Sequence, residues 1–234
     1  MLRSNSVGRV DLRAAAVLAL AVSLGACATD EPVAHEQSVA GDTAAVGGPG
    51  ACTGVDAPML DIPTASDIEP QMRIPQPPGW ERSTELDNVD EVIRFALVNT
   101  GPVADEPPQN VVVVTLEPAP DTDAQAIFDH IRAELVKMLD ANGFPTDLTT
   151  TAGTVCGLPA QTVSYQGTAT GMGAALGGPQ GRPATMLYVV SKAGGQTHLI
   201  TTQTTTEPDN PTYQRDAETI RTGFQVLPPT TAKP

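Results

Sequence analysis

The chain has little positive charge and few aromatic side chains, and each shortage excludes a class of function. Its 13 Lys and Arg residues stand against 27 Asp and Glu, a formal net charge of −14. Nucleic acids and anionic bilayers attract basic proteins, so both are disfavoured as electrostatic partners. Only 3% of the residues are aromatic. The core must therefore consist mainly of Val, Leu, Ile, Ala and Thr, which favours strands over a helix bundle.

Residues typical of catalytic sites are also scarce. Beyond the N-terminal region the chain has two histidines, His130 and His198, and no serine stands in a Gly-x-Ser-x-Gly elbow. His130 falls beside the apolar stripe of a predicted helix, and His198 falls in a predicted strand on the same face as Ile200. Neither has an evident partner that would make it a general base. Cysteines and carboxylates lack ligand spacing, so we expect no catalytic residue, no metal site and no cofactor.

The N-terminus has the pattern of an export signal. Three arginines within the first 13 residues precede an uncharged run from Ala14 to Leu24. Eleven apolar residues are too few to span about 30 Å of hydrocarbon as a helix. The segment Leu24-Gly25-Ala26-Cys27 resembles the lipobox of bacterial lipoproteins, which implies cleavage before Cys27 and a diacylglyceryl group on its sulfur. An ordinary secretory signal with an incidental cysteine is the alternative.

Acyl chains on Cys27 would be the membrane attachment of the mature protein. Removing residues 1–26 takes away three arginines and one aspartate, leaving 10 basic and 26 acidic residues and a charge of −16. Such a chain is not drawn to anionic lipid, whereas two or more acyl chains, such as palmitate, suffice for stable anchoring. We therefore expect a monomer on the extracytoplasmic face of the cell membrane.

The two remaining cysteines form a natural pair. With Cys27 assigned to lipid, Cys52 and Cys156 are left, and an oxidising compartment favours a disulfide between them. The bridge would close a loop of roughly 100 residues and stabilise the fold by about 4–5 kcal/mol in the chain-entropy model. Two free thiols are the alternative.

The composition divides the chain into four parts. Residues 1–26 are the signal peptide, 27–56 a flexible tether rich in Gly, Ala, Ser and Thr, 57–228 the folded domain and 229–234 a disordered tail. Seven runs within the domain read as strands: Val92–Val98, Val111–Leu116, Leu148–Thr151, Ala160–Thr168, Ala184–Lys192, Gln196–Thr206 and Phe224–Val226. Gly194-Gly195 predicts a tight hairpin turn between two of them.

Two helices are predicted as well. Thr122 with Gln125 indicates a capping box, and Gly143 stands at the C′ position after an apolar stripe. The stripe recurs every four residues, at Ile127, Ile131, Leu135 and Leu139. The second helix begins at Asn210-Pro211 and ends at Gly223. This element order predicts an α+β domain, a largely antiparallel sheet flanked by helices.

The glycine-rich stretch from Gly167 to Arg182 is the strongest candidate for a contact loop. Strands are predicted on both sides and no Gly-Lys-Ser/Thr follows, so it is not a phosphate-binding loop. Long loops without secondary structure often bind something, and this one carries Met172 and Leu176. We predict a ligand or partner site between the sheet and this loop, with Trp80 as a weaker candidate wall. A tolerated insertion is the alternative.

Several motifs together resemble the mycobacterial LpqN/LpqT lipoproteins over roughly residues 60–228. They are the lipobox, the segment Ile74-Pro75-x-Pro77-Pro78-Gly79-Trp80, the helix from Thr122 and the turn Cys156-Gly157-Leu158-Pro159-Ala160. The resemblance implies a PsbP-like domain, an α/β/α sandwich without established catalytic residues. It also implies a role in the cell envelope through protein partners or mycolate-type glycolipids.

The leading hypothesis is therefore a non-enzymatic, lipid-anchored envelope protein that binds partner proteins or an envelope lipid, in envelope biogenesis or lipid transport. The alternative is a small envelope lipid hydrolase or transferase. That alternative requires Ser164 or Ser191 to meet His198 and a carboxylate beside an apolar cleft. A purely structural envelope component is the third possibility.

Overall fold

The computed structural model describes residues 51–87, 89–99, 110–166, 183–207 and 209–230. Three residues singled out in the sequence, Cys27, Met172 and Leu176, lie outside this part of the chain. Neither helix of the described residues has the length and hydropathy needed to cross a bilayer.

Within the described residues, ten strands form two antiparallel sheets. The large sheet has the order β3-β4-β5-β9-β8-β7-β6, and the small sheet has the order β1-β2-β10. The strands are β1 Met59–Ile62, β2 Gln71–Pro75, β3 Glu81–Arg82, β4 Ile93–Asn99, β5 Asn110–Ala119, β6 Thr149–Val155, β7 Leu158–Gln166, β8 Pro183–Ala193, β9 Gln196–Thr205 and β10 Gln225–Leu227. The prediction of an α+β domain built on a largely antiparallel sheet is confirmed.

The centre of the large sheet is buried on both faces. In β5 the side chains of Val112 and Val114 point to one face, and those of Val111 and Val113 point to the other. All four are at most 3% exposed. This explains why β5 reads as an unbroken apolar run rather than as an alternating one.

A different layer covers each face of the sheet. Over β7, β8 and β9 the back face packs against helix α1, Ala124–Ala141, through Ile127, Phe128, Leu135 and Leu139. Over β4 and β5 it packs against Leu86. The front face packs against the small sheet and Trp80, with Ile220 and Phe224 at the C-terminal end of helix α2, Pro211–Gly223. Three of the four predicted stripe residues of α1 are therefore buried, and the fourth, Ile131, is partly buried.

Three of the four predicted helix ends are confirmed, and one of them is the end of α2 at Gly223. Asn210 caps α2 by accepting a hydrogen bond from the Thr212 amide, and Gly143 follows α1 with φ +72°. The predicted capping box at Thr122 is wrong. Asp123 is the N-cap, and its carboxylate accepts a hydrogen bond of 2.9 Å from the Ala126 amide. A charged carboxylate is the stronger acceptor at the positive end of a helix.

Two-residue turns close two hairpins of the large sheet. Gly194 and Gly195 join β8 to β9 with φ of +58° and +78°, so the predicted turn is confirmed. Cys156 and Gly157 join β6 to β7 with φ of +50° and +82°. Positive φ at both central residues is the type I′ pattern, which matches the twist of antiparallel strands.

A disulfide links Cys52 to Cys156, across 104 positions of sequence. It fastens the segment before β1 to the turn between β6 and β7, which no backbone pairing connects.

Replacing both bridge cysteines, Cys52→Ser with Cys156→Ser, should lower the free energy of unfolding by about 2–5 kcal/mol, because the unfolded chain regains the freedom of a long loop. Urea unfolding monitored by circular dichroism measures the loss. Thiol reduction of the unmodified protein should reproduce most of it and leave the double variant unaffected. Equal stability of both chains would contradict this account.

A second long-range contact is an ion pair between Glu69 and Arg94, 2.8 Å apart, with side chains only 10% and 16% exposed. The other carboxylate oxygen of Glu69 accepts from the Ala65 amide at 2.8 Å. The pair links the segment between β1 and β2 to the start of β4.

Glu69→Gln should destabilise the fold by about 3 kcal/mol, since it leaves the buried Arg94 guanidinium without its counter-charge. The matched control is Asp61→Asn in the exposed pair between Asp61 and Arg73. That change should cost less than about 1 kcal/mol. Urea midpoints of the two variants test the contrast, and similar losses would contradict it.

Candidate binding cleft

Helix α2 presents two different sides to the rest of the protein. On one side Tyr213 and Ile220 are buried, and Asp216 accepts a 3.0 Å hydrogen bond from the indole N–H of Trp80. The other side faces the front of the large sheet. Its residues recur at the spacing of one helical face: Gln214, Ala217, Glu218 and Arg221.

A cavity of about 310 Å³ lies between this second side of α2 and strands β8 and β9. Its sheet wall consists of Pro183, Thr185, Thr204 and Thr206. Gln214 bridges the two walls by donating from Nε2 to the Thr206 hydroxyl at 3.1 Å.

A second cavity, of about 220 Å³, continues along the sheet on the other side of Arg221. Its walls come from β6, β7, β8, the end of α2 and the segment at the disulfide: Thr53, Thr151, Ala152, Gly153, Thr154, Val155, Cys156, Ala160, Thr162, Leu187, Arg221, Thr222 and Phe224. Because Arg221 lines both cavities, we treat them as one feature and call it the α2 cleft.

Hydroxyl groups are the most numerous polar groups of the α2 cleft, beside nine apolar or glycine residues in its lining. Eight of its lining residues are threonines, and its charged residues are Arg221 and Glu218. The Arg221 guanidinium hydrogen-bonds to Glu218 and lowers the pKa of that carboxyl below its ordinary value. The two charges therefore compensate each other. Hydroxyls both donate and accept hydrogen bonds, so the cleft suits an uncharged polar ligand better than an anion.

A third cavity, of about 530 Å³, lies on the back of the sheet between α1 and the segment that leads into β6. We call it the α1 groove. It is lined by Asp129, Arg132, Ala133, Val136 and Lys137 of α1, and by Thr146, Leu148 and Thr150. The two cations are paired, Arg132 with Asp129 and Lys137 with Glu134.

Of the three residues predicted to contact a ligand, Trp80 is in the part of the chain that the structure describes. Trp80 is 1% exposed, so its ring is part of the core and is not presented at the surface. The loop with Met172 and Leu176 is outside the described residues, but its flanking residues Gln166 and Pro183 are paired with each other. Pro183 also lines the α2 cleft. A site between the sheet and this loop stays a prediction, and the cleft lies where the loop joins the sheet.

Ser191 and His198 are paired across β8 and β9, and both are buried. Neither ring nitrogen of His198 has a hydrogen-bond partner among the described residues. Ser164 lies elsewhere, with its hydroxyl 3.1 Å from that of Thr185. The described residues thus show no serine, histidine and carboxylate joined by hydrogen bonds. In the same part of the chain, no three His, Cys, Asp or Glu side chains are grouped as metal ligands.

Glu117 on β5 is a titratable group that the sequence did not single out. Burial raises the pKa of its carboxyl above the ordinary 4.5, and the charge of Asp90 raises it further. The Glu117 charge and that of Tyr165 add to the effect of burial in raising the pKa of Tyr188.

Glu117→Gln should raise the free energy of unfolding at pH 7, because the folded state disfavours the ionised carboxylate. The gain should shrink as the pH falls through the folded-state pKa and vanish below the unfolded value of 4.5. Unfolding curves between pH 4 and pH 8 measure this difference. A gain that is constant with pH would contradict the argument.

Among solved structures, the fold is similar to that of LpqN, a protein involved in cell envelope biogenesis of Mycobacterium tuberculosis. The TM-score is 0.50 and the identity 17%, over 77% of this chain and 100% of that one. The Ran-binding protein Mog1p of Saccharomyces cerevisiae is also similar, with a TM-score of 0.38 and 11% identity over 67% of this chain and 90% of that one. No family model and no curated protein matches the sequence. The resemblance to LpqN/LpqT lipoproteins is thus confirmed as an LpqN-like fold, and family membership stays a prediction.

Proposed function

We propose that this chain is a non-enzymatic, lipid-anchored protein of the cell envelope that binds the polar part of an envelope glycolipid in the α2 cleft. The observation that carries the proposal is the lining of that cleft, eight threonines around one compensated ion pair. The fold it shares with LpqN, a protein of cell envelope biogenesis, supports the compartment.

The size and chemistry of the cleft fit a sugar headgroup better than an acyl chain. Its two cavities of about 310 and 220 Å³ fall within or just below the range of about 300–1,000 Å³ typical of small-molecule sites. Burying threonine hydroxyls against hydrocarbon would leave them without partners, at a cost of about 1–3 kcal/mol each. A polyhydroxyl ligand can pair with them instead.

The position of the cleft supports a membrane-facing role. Thr53 and Cys156 line one end of it, and Cys52 is bonded to Cys156 at that end. The predicted tether from Cys27 therefore joins the fold beside the cleft. An acyl-anchored protein would meet a glycolipid in the plane of its own membrane.

The hydrolase alternative has less support. It needs His198 to activate Ser191 as a general base, yet neither ring nitrogen has a hydrogen-bond partner among the described residues.

Gly153→Leu tests the proposal by filling the cleft. A Cβ at Gly153 would meet no atom within 4 Å, so the larger side chain enters open space without disturbing the fold. Titration with a mycolate-type glycolipid in detergent micelles, followed by calorimetry, should show at least about tenfold weaker binding for this variant, a loss of about 1.4 kcal/mol.

The matched control is Thr149→Leu, which adds an apolar side chain to the same strand and face outside the lining residues. Its affinity should stay within about twofold of the unmodified protein. Equal affinities in all three proteins, or no binding by the unmodified protein, would refute the α2 cleft as the glycolipid site.

A further inference from the structure

Strand β6 forms one edge of the large sheet, and among the described residues it pairs with β7 alone. Its sequence is Thr-Thr-Thr-Ala-Gly-Thr-Val, and every residue before Val155 is exposed. Edge strands are usually protected from other chains by charged side chains, proline or bulges. β6 has no charged residue and no proline, and its register with β7 is unbroken over seven pairs.

The turn between β6 and β7 determines which backbone groups of β6 point outward. In a two-residue hairpin the closing pair, here Val155 with Leu158, is hydrogen-bonded, and bonded and non-bonded pairs alternate from there. Thr154 then belongs to a non-bonded pair. Its partner is Pro159, which has no N–H to offer. The N–H and C=O groups of Thr150, Ala152 and Thr154 are consequently directed away from β7.

Cavities lie on both sides of this edge. Thr150 and the preceding Leu148 line the α1 groove on the back of the sheet. Thr151 and Gly153 line the α2 cleft on the front. Successive side chains of a strand point to opposite faces, so a strand added beside β6 would direct its own side chains alternately toward the groove and the cleft.

We propose that the edge of β6 binds an extended, uncharged segment of a partner protein by β-strand addition. Backbone hydrogen bonds to Thr150, Ala152 and Thr154 provide the attachment, and the two cavities select the side chains. The α1 groove, with Leu148 and Val136, accepts apolar side chains, and the hydroxyl-lined cleft accepts polar ones. This partner site goes beyond glycolipid binding and does not require it.

The charge of the chain favours a partner protein over a second copy of the chain as the occupant of the β6 edge. The edge itself is neutral, which matches an uncharged segment. Two copies would each bring a formal net charge of −14 to the contact and repel each other.

The test uses the full chain and the labelled peptide acetyl-Leu-Thr-Val-Thr-Leu-amide, with anisotropy and residue-specific hydrogen exchange as readouts. In the free protein the amides of Thr150, Ala152 and Thr154 should exchange rapidly, and those of Thr151 and Gly153 slowly. Bound peptide should slow exchange at the first three by at least about tenfold. Binding without that protection, or no binding, would overturn the proposal.

Ala152→Pro removes an outward N–H that β7 does not use, and should abolish peptide binding. Ala152→Ser keeps the N–H and should bind like the unmodified protein. Because proline can disturb the strand itself, a peptide N-methylated at its central valine provides the same test from the ligand side and should also fail to bind.

Two further outcomes count against the proposed occupant. Protection of the outward amides without peptide that increases with protein concentration would identify a second copy of the chain. Concentration-independent protection without peptide that disappears on deleting residues 28–50 would identify the chain's own tether. Either result would overturn binding of a partner segment at this edge.

Discussion

Burial of both faces of the large sheet is the constraint on which the rest of the structure depends. The central strands β5, β8 and β9 direct apolar side chains to both sides, so each side needs a covering layer. Helix α1 together with Leu86 supplies one, and the small sheet with Trp80 and the end of α2 supplies the other. The α1 groove, the smaller cavity of the α2 cleft and the exposed edge strand lie toward β6, whereas the larger cavity lies over β8 and β9.

The front face of the sheet is apolar in one region and carries hydroxyl groups in another. Val112, Val114 and Ile200 are buried under the small sheet, whereas Thr185, Thr204 and Thr162 line the α2 cleft. Threonine is as well suited to a strand as valine because both branch at Cβ. The substitution of a hydroxyl for a methyl group therefore changes what the surface can bind while leaving the strand intact.

The sequence predicts elements whose signals are local and misses what depends on distant contacts. Apolar periodicity identified α1, an unbroken run of valines identified β5, and paired glycines identified the β8–β9 turn. The strands β1 and β3 were missed because four and two residues are too short to show a period. Thr122 and Asp123 are adjacent and both residue types suit an N-cap, so the sequence motif alone does not show which of them caps α1.

The candidate sites were harder to predict than the fold. Trp80 was predicted as a candidate wall of a ligand site, yet its ring is buried and Asp216, on a helix 136 positions away, accepts its N–H. The α2 cleft arises because a helix near the C-terminus stands over threonines of β8 and β9. The edge of β6 became visible only when the strand order was known, since its sequence resembles any exposed strand.

The disulfide also determines where a mechanical load would enter the fold. A pull along the chain from its N-terminal side reaches Cys52 first and passes through sulfur to Cys156 in the β6–β7 turn. Strands β1 and β2 are then spared the force, although they come first in the sequence. If the predicted tether holds the domain to a membrane, the hairpin that carries the load is the one beside both proposed binding surfaces.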